Sequence, residues 1–352
     1  MSRFFSSKYS SLIPYTPGEQ PKNMEYVKLN TNESPYPPSE NVYEAVKIEA
    51  EKLHLYSDPE AKIITEKIAK RYGVSKDMVL VTNGSDEVLN FAFMAYGDSK
   101  REMLFPEISY GFYSVFADLN GVKYRQVPLK DDFTIDVNDY IAKNTTIVIA
   151  NPNAPTGLAL SLSQVEEIVK SNPNNVVVID EAYVDFGSES CVNLVHKYDN
   201  LLVTMTFSKS RSMAGARIGF GIASKAIIND LNTIKYSTNP YNVNRISQVA
   251  GACAIDSDSY YMDNCKKIIE NREYTKKELE KMGFFVLDSR ANFLFAKSDK
   301  ISGEELYLKL KENGVLVRHF KTEKIKDFNR ITIGTKEQMD IFLEKTRKIL
   351  EA

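Results

Sequence analysis

Short apolar segments recur along the first two-thirds of the chain, and several of them lack polar alternation. Runs rich in β-branched residues predict strands at 78–82, 102–105, 122–127, 146–150, 176–180, 201–207 and 218–223. Strands without alternation are typical of sheets that are buried on both faces. Helical periodicity lies between some of these strands, most clearly after a capping box formed by Ser163 and Glu166. Strand-helix alternation of this kind predicts a mainly parallel α/β sheet.

The pattern changes in the last third of the chain. One long helix is predicted over 258–282, closed by Gly283. Short strands and a further helix follow, and a last helix begins with a capping box of Thr335 and Gln338. This order predicts a smaller α+β domain.

Proline is dense at the beginning of the chain, where six of the 13 prolines precede residue 39. Proline fixes φ and removes a hydrogen-bond donor, so this stretch is predicted to be an extended arm. Ser39 then caps a first helix. We therefore predict an N-terminal arm (1–40), a large domain (41–245) and a small domain (246–352).

Composition and charge narrow the classes of function. Lys and Arg number 45 and Asp and Glu number 47, a net charge of -2 that does not favour nucleic acid or an anionic membrane as partner. No apolar run approaches the length of a membrane span. The three cysteines lie far apart, and the three histidines lack metal-ligand spacing. We expect neither disulfides nor a metal site, and the cytoplasm as the compartment.

Ser208 and Lys209 follow the strand predicted at 201–207, and a loop of small residues leads from them to Arg217. Taken alone, this lysine would be interpreted as a surface residue, because most lysines are solvated. The lysine motif indicates a functional site only in combination with the three motifs at the ends of other strands.

Asp180 stands at the end of an apolar strand, and Tyr183 follows it. Functional groups of open α/β sheets lie outside the carboxyl ends of the strands. An apolar strand followed by Asp-Glu also occurs at the magnesium site of P-loop ATPases, but the GxxxxGK[ST] motif is absent from the chain. The ATPase interpretation therefore has little support.

Two further strands end in motifs. Gly84, Ser85 and Asp86 follow the first strand, and Ser85 is predicted to cap a helix whose free N–H groups would bind an anion. The sequence NPNAPTG at 151–157 follows the strand at 146–150 and predicts an irregular loop. Each motif alone is also compatible with a purely structural turn.

In their order along the chain, these motifs resemble the fold-type I aminotransferases, which use pyridoxal 5'-phosphate (PLP). Within that family, the segments LIPYTPGEQP, KLNTNESPYP, LYSDPE, PEISYGFYSV and VLVRHF resemble the branch that acts on histidinol phosphate. The resemblance extends from about residue 12 to the C-terminus. It implies a large domain with a mainly parallel sheet, a smaller α+β domain and PLP as the cofactor.

The resemblance also implies roles for individual residues. Lys209 would carry PLP and act as general acid and base, its amine activated by burial and by a cation for which Arg217 is the candidate. Asp180 would pair with the pyridinium nitrogen, Tyr183 would contact the phenolic oxygen, and Tyr110 would stack on the ring. The phosphate would be bound by Ser208, Arg217 and the N–H groups near Gly84, Ser85 and Asp86.

The chain departs from the family pattern in one place. Many relatives have Asn immediately before Pro-Thr-Gly, where its amide contacts the phenolic oxygen, and this chain has Ala154. Either Asn153 or Asn151 replaces that amide, or Tyr183 acts alone. Asn153 is the favoured candidate.

For the substrate, the resemblance implies an anion clamp of Arg330, Arg318 and Tyr15. Asn32 would line the same pocket, and Tyr56 would be supplied by the neighbouring subunit of a homodimer. An arginine fork suits carboxylate and phosphate alike, so one pocket can serve histidinol phosphate and glutamate in turn.

The implied function is amino transfer between L-histidinol phosphate and 2-oxoglutarate, in histidine biosynthesis. Two alternatives keep the fold and the cofactor: an aromatic amino acid aminotransferase and a threonine-phosphate decarboxylase. A more remote alternative is a non-catalytic regulator that binds PLP or a nucleotide. The intact set of Lys209, Asp180 and Arg217 favours an enzyme.

Overall fold

The computed structural model describes residues 2–21 and 24–351. Its strands are β1 (Val27–Lys28), β2 (Val79–Thr82), β3 (Met103–Pro106), β4 (Tyr124–Val127), β5 (Thr146–Ala150), β6 (Val177–Asp180), β7 (Leu201–Thr206), β8 (Gly219–Ala223), β9 (Phe284–Val286), β10 (Phe293–Ser298), β11 (Val315–Leu316), β12 (Arg318–His319) and β13 (Asn329–Thr332). Its α-helices are α1 (Glu40–Ala50), α2 (Lys62–Tyr72), α3 (Ser85–Tyr96), α4 (Phe112–Asn120), α5 (Leu162–Ser171), α6 (Lys225–Thr238), α7 (Arg245–Asp256), α8 (Asp258–Lys281), α9 (Gly303–Glu312) and α10 (Lys336–Glu351).

The larger sheet of the described chain has seven strands in the order β2-β8-β7-β6-β5-β3-β4. Its neighbours pair in parallel except at β8, which is antiparallel to both β2 and β7. Every residue of β5, β6 and β7 is buried, as their continuous apolar sequences predict. The prediction of a mainly parallel α/β sheet is confirmed.

The smaller sheet is antiparallel, with strand order β12-β13-β10-β9, and packs with α8, α9 and α10 around a second hydrophobic cluster. A parallel pair of β1 and β11 joins the beginning of the chain to this part. The predicted smaller α+β part is therefore confirmed. Every helix of the described residues, including α8, is too short or too polar to cross a membrane.

The start of α5 differs from the prediction. The capping box is formed by Ser161 and Gln164: the Ser161 hydroxyl accepts from the Gln164 N–H at 3.3 Å, and the Gln164 side chain accepts from the Ser161 N–H at 2.9 Å. Glu166 instead contacts the hydroxyl of Tyr198 at 2.9 Å. Two overlapping Ser-x-x-Glu/Gln patterns fit the sequence, and the prediction of Ser163 with Glu166 was wrong by two residues.

Two of the hydrophobic clusters, one from each sheet, meet along α8. Helix α7 packs on α1 and α2, and its Ala250 and Ala254 join the core of the larger sheet. In α8, Tyr261 contacts the core of the larger sheet and Ile268 that of the smaller one. We propose that the large domain extends through α7. The division at residues 40 and 245 stays a prediction, and residues 1, 22, 23 and 352, which it includes, lie outside the described chain.

Candidate active site

A cavity lies at the carboxyl ends of β5, β6 and β7, where parallel strands bring residues distant in sequence to one edge of the sheet. Of the predicted residues it is lined by Ser85, Asp86, Tyr110, Asp180, Tyr183, Ser208, Lys209 and Arg217. A second cavity shares Tyr110, Tyr183 and Lys209 with the first. Of the residues predicted to contact substrate, it is lined by Tyr15, Asn32, Arg318 and Arg330.

Lys209 follows β7 and points into both cavities. Its Nζ donates to the Thr31 carbonyl oxygen at 3.2 Å and lies 5.9 Å from the centre of the Tyr183 ring. Burial, followed by the positive charge of Arg330, lowers the pKa of Lys209 to about 8. The effect of Arg217 on this pKa is smaller, so the cation that activates the amine most is Arg330 rather than the predicted Arg217.

Asp180 is the last residue of β6 and is 5% exposed. One carboxylate oxygen accepts from the Ala182 N–H at 3.2 Å, and the other accepts from the Tyr113 hydroxyl at 3.0 Å. Burial raises the pKa of Asp180 to about 7, against the effect of these two hydrogen bonds. Within the described residues, its hydrogen-bond partners include no cation, so the carboxyl suits a positively charged ligand nitrogen.

The anion-binding end of the cavity is the start of α3. Gly84, with φ of +79°, is the N-cap, and Ser85 is the first helical residue rather than the predicted cap. A Cβ atom at Gly84 would lie 2.5 Å from the Arg217 guanidinium, and one at Gly219 would collide with the backbone of Ser85. Glycine at both positions lets β8 and Arg217 approach the helix start. The N–H groups of Ser85 and Asp86 precede the first intrahelical hydrogen bond and face an anion favourably.

The Asp86 carboxylate contacts two of the predicted site residues. One oxygen accepts from the Tyr110 hydroxyl at 2.8 Å, and the other contacts the Arg217 guanidinium at 3.1 Å. Ser208, beside them, is buried, and its hydroxyl accepts from Thr206 at 2.9 Å. Tyr110 and Arg217 are thus held at fixed positions on the rim of the cavity.

Asn153 does not reach the cavity, contrary to the favoured interpretation. Its amide donates to the Ile108 carbonyl at 2.9 Å and accepts from Ser109 at 2.7 Å, and the residue is 2% exposed. Asn151 is likewise engaged, with both ends of its amide on the backbone of Leu160. Both amides satisfy polar groups of the surrounding loops, so neither replaces the missing amide, and Tyr183, which lines the cavity, remains the candidate for contact with the phenolic oxygen.

Asn32 links the beginning of the chain to the site. With φ of +56°, it donates from its amide to the Tyr183 hydroxyl at 3.0 Å and accepts from the Thr332 hydroxyl at 3.0 Å. It lines the second cavity as predicted, but its contacts make it a support for Tyr183.

Two arginines and a tyrosine surround the second cavity. Arg330 donates to the Asn30 carbonyl at 3.1 Å, and its Nε has no partner among the described residues. Arg318 donates to the carbonyl oxygens of Thr16 and Pro17 in the arm. Tyr15 lines the same cavity and lies face to face with the Phe112 ring at 4.3 Å.

Tyr56 is placed apart from these groups. It is 80% exposed, stacks on Tyr241 with ring centres 4.7 Å apart, and lines neither cavity. Within its own subunit, Tyr56 therefore does not line the site.

Thr31, Glu33 and Tyr113 belong to the site and were not predicted. Thr31 and Glu33 lie in the KLNTNESPYP segment, of which only Asn32 is predicted from the sequence to line the pocket. Tyr113 comes three residues after Tyr110, at the start of α4, and nothing in the sequence indicates its contact with Asp180.

These groups fit PLP. The start of α3, Ser208 and Arg217 supply donors for a phosphate, and Asp180 offers a buried carboxyl without a cation to a ring nitrogen. Lys209, with its lowered pKa, offers an amine to an aldehyde. A lysine, a buried carboxyl and an anion-binding helix start on such a sheet define a PLP-dependent transferase of fold type I.

Comparisons with known proteins identify the family. The family model for aminotransferases of class I and II matches residues 24–345. The chain is 50% identical over 353 residues to the histidinol-phosphate aminotransferase of Brachyspira hyodysenteriae, with 100% of both chains covered. It is 46% identical to that of Clostridium botulinum strain Kyoto, with 99% of both covered. The fold matches the Sinorhizobium meliloti histidinol-phosphate aminotransferase in complex with pyridoxal-5'-phosphate, with a TM-score of 0.90, 21% identity, and 100% and 98% of the chains covered. The chain belongs to the class I and II aminotransferases, within the histidinol-phosphate aminotransferase family.

Lys209 is the proposed site of covalent PLP attachment, and in PLP-free protein we predict that the attachment depends on pH. The attacking species is the neutral amine, and the pKa of Lys209 is lowered to about 8. The attachment rate should therefore rise with pH through a midpoint near that value. The rate at which the visible absorption band appears, measured by stopped flow across a pH series, provides the test. A midpoint above about 10, the range of an ordinary lysine, would contradict the role of burial and Arg330.

Proposed function

We propose that the protein transfers the amino group of L-histidinol phosphate to 2-oxoglutarate, as a step of histidine biosynthesis. The observation that carries this proposal is the cationic end of the second cavity, where Arg330 and Arg318 lie beside Tyr15 in a space that Lys209 also lines. The relatives with 50% and 46% identity are both named histidinol-phosphate aminotransferase.

Residues that line the two cavities have separate roles in the proposed reaction. Bound PLP supplies an electron sink for the charge left when the substrate loses its Cα proton. Lys209 takes this proton at Nζ and returns it as a general acid, for which a pKa near 8 is well suited. Asp180 holds a proton at the ring nitrogen, and Tyr183 orients the ring edge. The Arg330 fork binds the phosphate of one substrate and a carboxylate of the other in turn.

The test is a visible spectrum of the PLP-loaded protein before and after L-histidinol phosphate is added. The band should bleach with this substrate and return with 2-oxoglutarate. A band that is unchanged by L-histidinol phosphate but bleaches with an aromatic amino acid would assign the protein to the aromatic aminotransferases. Carbon dioxide release from threonine phosphate would assign it to the decarboxylases.

We propose that the protein acts as a homodimer in which Tyr56 completes the partner's site. Tyr56 is 80% exposed, and further large apolar side chains are exposed on α1, in the segment that follows it, on α2, and on or just after α6: Tyr43, Ile48, Leu53, Leu55, Ile63, Tyr236 and Tyr241. Such an accumulation of apolar surface is typical of a protein interface. The aromatic ring and its hydroxyl would then reach the neighbouring anion clamp.

Subunit mixing tests this arrangement. Lys209→Ala and Tyr56→Ala homodimers are each expected to be impaired, whereas mixed dimers contain one site with both wild-type groups. Activity should therefore reappear after the two variants are unfolded and refolded together. If Tyr56 served its own subunit, no mixed dimer would hold an intact site, and the mixture would stay as inactive as its components.

We also propose the cytoplasm as the compartment. None of the cysteines of the described chain forms a disulfide, and Cys191 and Cys265 are buried. Buried free thiols are compatible with a reducing environment.

A further inference from the structure

Tyr113 lies behind the site, in contact with Asp180. It is the second residue of α4 and is 0% exposed. Its hydroxyl donates to the Asp180 carboxylate at 3.0 Å, while the Ala182 N–H binds the other oxygen at 3.2 Å. Two donors, one on each oxygen, fix the plane of the carboxylate.

The Tyr113 ring is held on several sides. It meets the Tyr110 ring edge to face, with centres 5.7 Å apart and planes at 86°. Phe93 and Phe105 pack on it at 6.5 and 5.7 Å. The turn that places Tyr110 at the cavity therefore also directs the Tyr113 hydroxyl at Asp180, and the backbone fixes it through a 3.1 Å hydrogen bond from the Tyr113 N–H to the Tyr110 carbonyl.

We propose that Tyr113 is a positioning residue that orients Asp180 and favours its ionised form opposite the ring nitrogen of PLP. This inference rests on the proposed role of Asp180. Tyr113 stays a neutral phenol, because burial and the nearby Asp180 charge raise its pKa well above the usual value. It is thus a permanent donor to the carboxylate, and its hydrogen bond opposes the rise in the pKa of Asp180 that burial causes.

Replacing Tyr113 by Phe removes this donor and keeps the ring. The carboxyl of Asp180 should then hold its proton more strongly, so the nitrogen-15 resonance of ring-labelled PLP should move toward that of unprotonated pyridine. The dissociation constant of PLP, measured by equilibrium dialysis, should rise about tenfold, the size expected for one hydrogen bond to a charged group. Tyr113→Met provides a second non-donor, so that a folding defect of one variant does not decide the result.

Tyr140→Phe is the matched control. Tyr140 is 1% exposed, and its hydroxyl has no hydrogen-bond partner among the described residues. The Tyr140→Phe substitution should leave the nitrogen-15 resonance and the PLP affinity at wild-type values. If Tyr113→Phe and Tyr113→Met do the same, Tyr113 only fills space and the inference is overturned. If Asp180→Asn also leaves the resonance unchanged, the role of Asp180 itself is wrong, and that of Tyr113 falls with it.

Discussion

Lys209→Ala is expected to lower kcat by about 10⁴-fold or more, because it removes both the general acid-base and the covalent attachment of PLP. PLP should still bind, since the start of α3, Arg217 and Asp180 remain. Single-turnover mixing with L-histidinol phosphate measures the rate, and dialysis measures the retained PLP.

Lys197→Ala is a suitable control for Lys209→Ala. Lys197 is an exposed lysine that contacts Glu166; neither residue lines either cavity, so its loss should leave the rate unchanged. A Lys209→Ala protein with a rate near that of Lys197→Ala would exclude Lys209 as the proton carrier.

Arg330→Gln is expected to lower kcat/KM about 100-fold for both substrates, because in the proposed function one guanidinium binds the anionic group of each. A second effect follows from the charge of Arg330, which helps to lower the pKa of Lys209. Without this cation the pKa of Lys209 rises, so the pH at which PLP attaches to the lysine should move to higher values. Kinetics with each substrate and the attachment rate as a function of pH separate the two effects.

Two companion variants assign these effects to charge or to geometry. Arg330→Lys keeps the positive charge and loses the fork, so kcat/KM should fall while the pH dependence stays near that of the wild type. Arg318→Gln should cost less than Arg330→Gln, since the Arg318 guanidinium already binds the carbonyls of Thr16 and Pro17. Equal losses in the Arg318→Gln and Arg330→Gln proteins would contradict the central position of Arg330.

The buried strands and their polar ends could be predicted because both leave a local signal. The strand at 146–150 is observed with the predicted bounds, and β6 ends at Asp180 as expected. A strand buried on both faces needs a continuous apolar run, and the residue that follows it lies at the functional edge of the sheet. The order of the motifs along the chain then predicts that Lys209, Asp180 and Tyr183 line one cavity, as the structure shows.

What could not be predicted depends on contacts between distant segments. The direction of the Asn153 amide is decided by Ile108 and Ser109, which belong to a different loop. The main cation near Lys209 comes from β13, in the other sheet, and sequence distance favoured Arg217 instead. The hydrogen bond from Tyr113 to Asp180 depends on where α4 is placed relative to the end of β6, which no local pattern encodes.

The position of β8 has a consequence for synthesis of the chain on the ribosome. β8 is the last strand of the larger sheet in sequence, yet it lies between β2 and β7 and brings Gly219 against the start of α3. A nascent chain that ends before residue 219 has two strands without their shared neighbour, and such open edges promote aggregation. The groups proposed to bind the phosphate come together only once β8 has emerged, and Arg330 follows later still. A growing chain is therefore expected to assemble the groups proposed to hold PLP before it contains the arginine proposed to select the substrate.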